Sequence, residues 1–119
     1  MQYLIMATET ESDFAQRDDP EASGAYWAAW TGYIAALAES GVMTGAGGLM
    51  PPSTSTTVRR RDGEVVVQDG PFADTKEQLG GYFVIDVPDL DTALEWALRC
   101  PSADSAAVEV RPLLPPMPG

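Results

Sequence analysis

Leu79-Gly80-Gly81-Tyr82-Phe83-Val84-Ile85-Asp86-Val87 is the longest strand candidate in the chain, and its reading decides the fold. Side chains of a strand alternate between faces, so Tyr82, Val84 and Asp86 point one way and Phe83, Ile85 and Val87 the other. Apolar bulk on both sides predicts a sheet that is covered front and back. Pro88-Asp89 ends the strand, and Asp89 offers an N-cap for a helix in which Leu90, Ala93, Leu94, Ala97 and Leu98 form an apolar stripe up to Cys100-Pro101. Ala107 to Arg111 then predicts a last strand, with Val108 and Val110 opposite Glu109 and Arg111.

The N-terminal half supplies a matching set. Tyr3 to Thr8 is a second two-sided apolar run, whose alternating sets are Tyr3/Ile5/Ala7 and Leu4/Met6/Thr8. Glu9 to Asp18 reads as a polar, acidic loop. Asp19-Pro20-Glu21 gives a cap residue, a first-turn proline and a first-turn acid, which predicts a helix start there. Tyr26, Trp30, Tyr33 and Leu37 recur at helical spacing, and Gly41 is a natural stop. Val42 to Met50 predicts a glycine-rich strand, broken by Pro51-Pro52. Thr56 to Arg61 and Glu64 to Gln68, joined by Asp62-Gly63, predict a hairpin inserted between larger elements.

Without the hairpin the order is strand, helix, strand, strand, helix, strand, which is the ferredoxin-like split βαβ arrangement of an α+β fold. Right-handed crossovers put both helices on one face. The other face is left apolar and exposed, and pairing with the sheet of a second copy would cover it, so a homodimer is expected. One domain spans residues 1–113, followed by a proline-rich tail at 114–119.

Composition limits the functions available. At 119 residues the chain buries roughly 65% of its unfolded surface, enough for one core without staples. Its 18 acidic and 7 basic residues, a net charge of −11, repel a phosphate backbone, so no direct nucleic-acid contact is expected. No run reaches the ~18 apolar residues of a membrane span and no secretory leader precedes Gln2, so a cytoplasmic location without membrane contact is expected. The single cysteine, Cys100, has no bridging partner and no histidine to activate it, so it reads as a buried helix-end residue. Neither a metal set nor a cofactor motif is present, and Gly45-Ala46-Gly47-Gly48 lacks the spacing of a dinucleotide loop.

The stretch Asp69-Gly70-Pro71-Phe72-Ala73-Asp74-Thr75-Lys76-Glu77-Gln78-Leu79-Gly80-Gly81-Tyr82 resembles the signature of the DGPF, or YCII-related, family. Further similarity lies in Pro51-Pro52, Thr57-Val58-Arg59, Asp62-Gly63, the segment from Leu90 to Ala97, and Val108-Glu109-Val110-Arg111-Pro112, so that it extends over about Leu4 to Leu113. The resemblance implies a ferredoxin-like dimer of the dimeric α/β-barrel kind, often encoded near alternative sigma factors, with no settled activity for most members. Some relatives carry a histidine–aspartate pair proposed to be catalytic. This chain has no histidine, so that role does not transfer.

Asp69, Gly70, Pro71 and Phe72 set a carboxylate at a rigid turn beside an aromatic ring, which suits a small polar ligand. The same residues also serve as an Asx-type turn with a core plug. Lys76, the only lysine, offers a cation for a ligand anion or for an ordinary salt bridge. Arg59, Arg60 and Arg61 form a basic cluster on the hairpin, where a solvated edge accounts for them equally well. Glu109 and Arg111 share a strand face, where they bind substrate or pair with each other. The trial cleft comprises Asp69–Phe72, Lys76 and the strand start at Gly80-Gly81, with Arg59 and Arg111 as further ligand contacts. If the chain is catalytic, Asp69 or Glu77 has to serve as acid or base. The competing readings are a non-catalytic regulatory protein tied to transcription and a remnant of an enzyme fold without activity.

Overall fold

The computed structural model describes residues 1–117. Its main sheet has four antiparallel strands: β1 (Gln2–Thr10), β2 (Met43–Gly48), β5 (Glu77–Asp86) and β6 (Val108–Pro112). Their spatial order, β2-β5-β1-β6, is the ferredoxin-like one. Helix α2 (Ser23–Ser40) crosses from β1 to β2, and α3 (Leu90–Arg99) from β5 to β6. Between β2 and β5 the chain makes a short 3-10 turn at Pro52–Thr54 and then the hairpin of β3 (Thr56–Arg61) and β4 (Glu64–Asp69).

Alternation fixes which face is covered. Tyr3, Ile5 and Ala7 of β1 and Phe83 and Ile85 of β5 are buried beneath Trp30, Tyr33 and Leu37 of α2 and Ala93 of α3. Phe83 stacks on Trp30 at 6.3 Å and meets Tyr33 edge-on at 5.3 Å. The opposite face carries Leu4, Met6, Tyr82 and Val84, with Glu109 across from Met6 and Arg111 across from Leu4. Among the described residues no helix lies on that side, and the shortest dimension, 18 Å, is that of one helix layer on one sheet. The sheet is open and does not close on itself as a barrel.

Several predicted boundaries move. Residues 9–18 are not a loop: β1 continues through Thr10, and α1 (Glu11–Gln16) follows directly. The cause is a capping box, in which Thr10 Oγ1 accepts from the Asp13 amide and Asp13 Oδ2 accepts from the Thr10 amide. Helix α2 starts at Ser23, because Asp19 is spent on a preceding turn where its carbonyl accepts from Ser23. A one-turn helix, α4 (Ser102–Ser105), follows Pro101 and is tied to α1 by the Ser105 hydroxyl donating to Asp13. The stripe of α3 is only half core. Ala93 and Ala97 are buried, whereas Leu90, Leu94 and Leu98 face outward.

Asp62 (φ 50°) and Gly63 (φ 82°) form the left-handed turn that suits a two-residue hairpin. The hairpin stands clear of the core, with Val58, Val65 and Val67 each about 60% exposed. Gly41, with φ 77°, ends α2 as expected.

Candidate functional site

A cleft of about 370 Å³ opens between α2 and the β2–β5 edge of the sheet. It exists because one cross-strand row on the covered face consists of tiny residues: Ala7, Gly81 and Gly48 stand side by side. The next row, Ile5, Phe83 and Ala46, fills again and stays small only at its β2 end. Trp27, Trp30 and Ile34 of α2 wall one side, and Leu49 and Met50 rim the other.

Glu9, Arg17 and Tyr26 form the polar base. Glu9 is next in the alternation after Tyr3, Ile5 and Ala7, so the strand delivers its carboxylate to the covered face, where the residue is only 2% exposed. A buried carboxylate requires partners. Arg17, at the C-terminal cap of α1, donates from Nη2 to Glu9 Oε1 at 2.9 Å. It also donates from Nε to the Tyr26 hydroxyl at 2.9 Å and to the carbonyls of Leu49 and Gly80. The Tyr26 hydroxyl donates to the Glu9 carboxylate at 2.7–2.8 Å. Phe14, Tyr26 and Trp27 surround the guanidinium at 4.8 to 5.9 Å.

This environment moves the proton affinities of Arg17 and Tyr26. Burial lowers that of Arg17, but its hydrogen bonds to Glu9 and Tyr26 outweigh this and hold it above the usual arginine value. Burial, followed by the bond to Glu9, pushes the Tyr26 phenol up to about 12. Tyr26 therefore stays protonated at neutral pH and acts as a donor to Glu9.

Glu9 also borders two neighbouring hollows. One, about 250 Å³, lies against α4, with Asp13, Ser102 and Ser105. The other, about 700 Å³, lies beneath the hairpin root and gathers Asp69, Gly70, Pro71 and Lys76 with Pro51 and Pro52. Four of the residues singled out in the sequence therefore share this third hollow. Gly70, at φ 95°, makes the turn, and its amide donates to the Ser55 carbonyl at 2.7 Å.

The remaining sequence candidates are dispersed. Gly81 lies in the floor of the aromatic-walled cleft. Phe72 is 72% exposed and plugs no core; its ring lies under the Arg59 guanidinium at 5.2 Å. Glu77 starts β5 at the surface. Arg111 pairs with Glu109 at 2.7 Å on the open face. Cys100 is buried, and burial pushes its thiol up to about 11. Among the described residues, no three His, Cys, Asp or Glu side chains gather as a metal set.

Sequence reasoning missed Glu9, Arg17 and Tyr26 as a group. Two signals were available: Glu9 is in phase with the buried set of β1, and Thr10 and Asp13 have capping-box spacing.

A family model described as the YCII-related domain matches residues 1–116. An uncharacterized protein of Rhizobium meliloti (strain 1021) is 42% identical over 83 residues, which cover 68% of this chain and 67% of that protein. Among solved structures, a 5-chloro-2-hydroxyhydroquinone dehydrochlorinase (TftG) from Burkholderia phenoliruptrix AC1100, in complex with 2,5-dihydroxybenzoquinone, matches with a TM-score of 0.55. The alignment covers 96% of this chain and 94% of that one at 16% identity, a likeness of fold.

Proposed function

The chain belongs to the YCII-related family, and on that footing we propose that it is a small-molecule-binding homodimer whose ligand enters the aromatic-walled cleft above Glu9. The observation that carries this reading is the buried Glu9–Arg17–Tyr26 cluster at the base of an apolar opening. Apolar walls with a few convergent polar groups are the usual make-up of a ligand pocket. A cluster of this kind is costly to bury, and apolar packing would stabilise a core at least as well. The fold neighbour TftG holds a small cyclic ligand, which is in keeping with this reading. The adjoining hollow at Asp69, Gly70, Pro71 and Lys76 is the proposed approach to the same carboxylate.

The test is retention. Protein exposed to a cell extract, washed and then denatured should release a small molecule detectable by mass spectrometry. Arg17→Met, which unpairs the base of the cleft, should retain less than a tenth as much. Release of nothing by the wild-type chain removes the proposal.

A second reading, a non-catalytic interaction protein associated with transcription, draws on the outward stripe of Leu90, Leu94 and Leu98. It predicts a protein partner that Leu94→Asp abolishes, with the contents of the cleft unaffected.

A further inference from the structure

We infer that the cleft above Glu9 selects an uncharged, flat ring bearing a hydrogen-bond donor, such as a phenolic hydroxyl, and rejects carboxylates and phosphates. This rests on the cleft being the ligand site, and it follows from counting donors and acceptors at its base. A guanidinium has five N–H groups. Four are spent: Nε on Tyr26, Nη2 on Glu9 and Gly80, and one of Nη1 on Leu49. The single hydrogen of the Tyr26 hydroxyl goes to Glu9. From Arg17 and Tyr26 an entering anion therefore finds one N–H at most, and it faces a carboxylate.

Acceptor capacity is in surplus. The two oxygens of Glu9 offer about four lone-pair sites. Arg17 Nη2 takes one and the Tyr26 hydrogen is shared between the two oxygens, leaving about one or two for a further donor to Glu9, which lines the cleft. An ammonium gains little over a hydroxyl there, because Arg17 at 2.9 Å already cancels the charge of Glu9, and it gives up far more hydration than a hydroxyl on entering the apolar walls, so it binds more weakly. The walls set the remaining requirement: Trp27, Trp30 and Phe83 present rings and Gly48 and Gly81 present bare backbone, which suits a planar apolar body. A hydrogen bond to a charged acceptor contributes about 1.5–3 kcal/mol, so removing the donor should weaken binding at least ~10-fold.

The experiment compares four naphthalenes of similar size: 2-naphthol, 2-methoxynaphthalene, 2-naphthoate and 2-naphthylmethylamine. Each is titrated into the 15N-labelled full chain while the indole N–H peaks are followed. Trp27 and Trp30 line the cleft, whereas Trp96 lies on α3 and serves as an internal control. The expected result is movement of the first two peaks by 2-naphthol, with the other three compounds at least ~10-fold weaker. If naphthoate, the amine or the methyl ether binds as tightly, the ligand class is overturned while the cleft stands. If none of the four moves Trp27 or Trp30, the cleft reading itself falls and this inference with it. Glu9→Gln gives a second check: it leaves the Arg17 charge uncancelled, so preference should shift toward naphthoate. An unchanged Trp96 peak certifies that the variant is folded, and a folded variant that keeps the wild-type preference overturns the charge argument.

Discussion

A Cβ placed on Gly80 would stand 2.6 Å from Oε1 of Glu9, closer than two unbonded atoms approach. Gly80 sits at the irregularity where the β1–β5 register shifts, and the carboxylate of Glu9 folds over its bare backbone. Glu9 cannot simply swing aside, because Arg17 and Tyr26 hold both of its oxygens.

Gly80→Ala should therefore destabilise the chain by about 1–3 kcal/mol, the usual cost of overpacking. Gly47→Ala is the informative contrast. Its Cβ would also lie 2.6 Å from a neighbour, but that neighbour is the far end of the Tyr82 ring. The ring end of Tyr82 can shift without disturbing the helix-side core, so the net effect should stay within about 1 kcal/mol. Urea unfolding of the two variants side by side checks the order, and equal losses would show that Glu9 is not pinned.

Arg17→Met leaves the Glu9 carboxylate buried and unpaired. Removing one partner of a buried pair costs about 3–5 kcal/mol, and the 12% exposure of the Arg17 side chain points to the lower end. Arg17→Lys keeps the charge but loses the fork that reaches Tyr26 and Glu9 together, so it should recover only part of the loss. Denaturant midpoints in the order wild type, Lys, Met are the expected outcome.

The frame of the fold was legible because it rests on local rules. Two-sided apolar runs at Tyr3–Thr8 and Leu79–Val87, the caps at Asp89 and Gly41, and the Asp62-Gly63 turn all act within a few residues of themselves. The site was less legible because it depends on register. Ala7, Gly81 and Gly48 come from three strands, and only their alignment empties the space above them. Glu9 opens an acidic run, and in the sequence that charge outweighs its phase in the alternation. Arg17 looked unremarkable beside Asp18 and Asp19, since nothing local says that its partners lie at Glu9, Tyr26 and Gly80.

The alkaline limb of stability should carry contributions from three buried groups, Cys100, Tyr26 and Tyr33. Burial raises the Cys100 thiol to about 11 and the Tyr26 phenol to about 12 in the folded chain, against ordinary values near 9 and 10. A group with a raised folded value holds its proton more tightly when folded, so its contribution is complete below the unfolded value and is lost as pH rises through the folded one. Stability should thus be flat in these groups up to about pH 9 and fall between about 9 and 12. Cys100→Ala should remove the lower part of the fall and Tyr26→Phe a share of the upper part, the remainder belonging to Tyr33, whose phenol burial raises further still. The same burial predicts that a thiol reagent at pH 8 labels Cys100 only after denaturation. Rapid labelling of the native chain would contradict the packing of the α3 end.

The open face of the sheet gives the last prediction. Leu4, Met6, Tyr82 and Val84 lie together on the side that no helix among the described residues covers, flanked by the Glu109–Arg111 pair. If two such faces meet about a two-fold axis, each residue meets its own counterpart or a near neighbour, so one added charge is counted twice. Val84→Asp places that charge near the centre, where burying it without a partner is costly. It should leave the helix-side core untouched, because that core belongs to Phe83 and Ile85 on the opposite face. Light scattering at ~10 μM should therefore report a dimer for the wild type and single chains for Val84→Asp, with the same far-ultraviolet dichroism in both. A wild-type chain that is already single at that concentration would leave the apolar face for a different partner and remove the homodimer from the proposal.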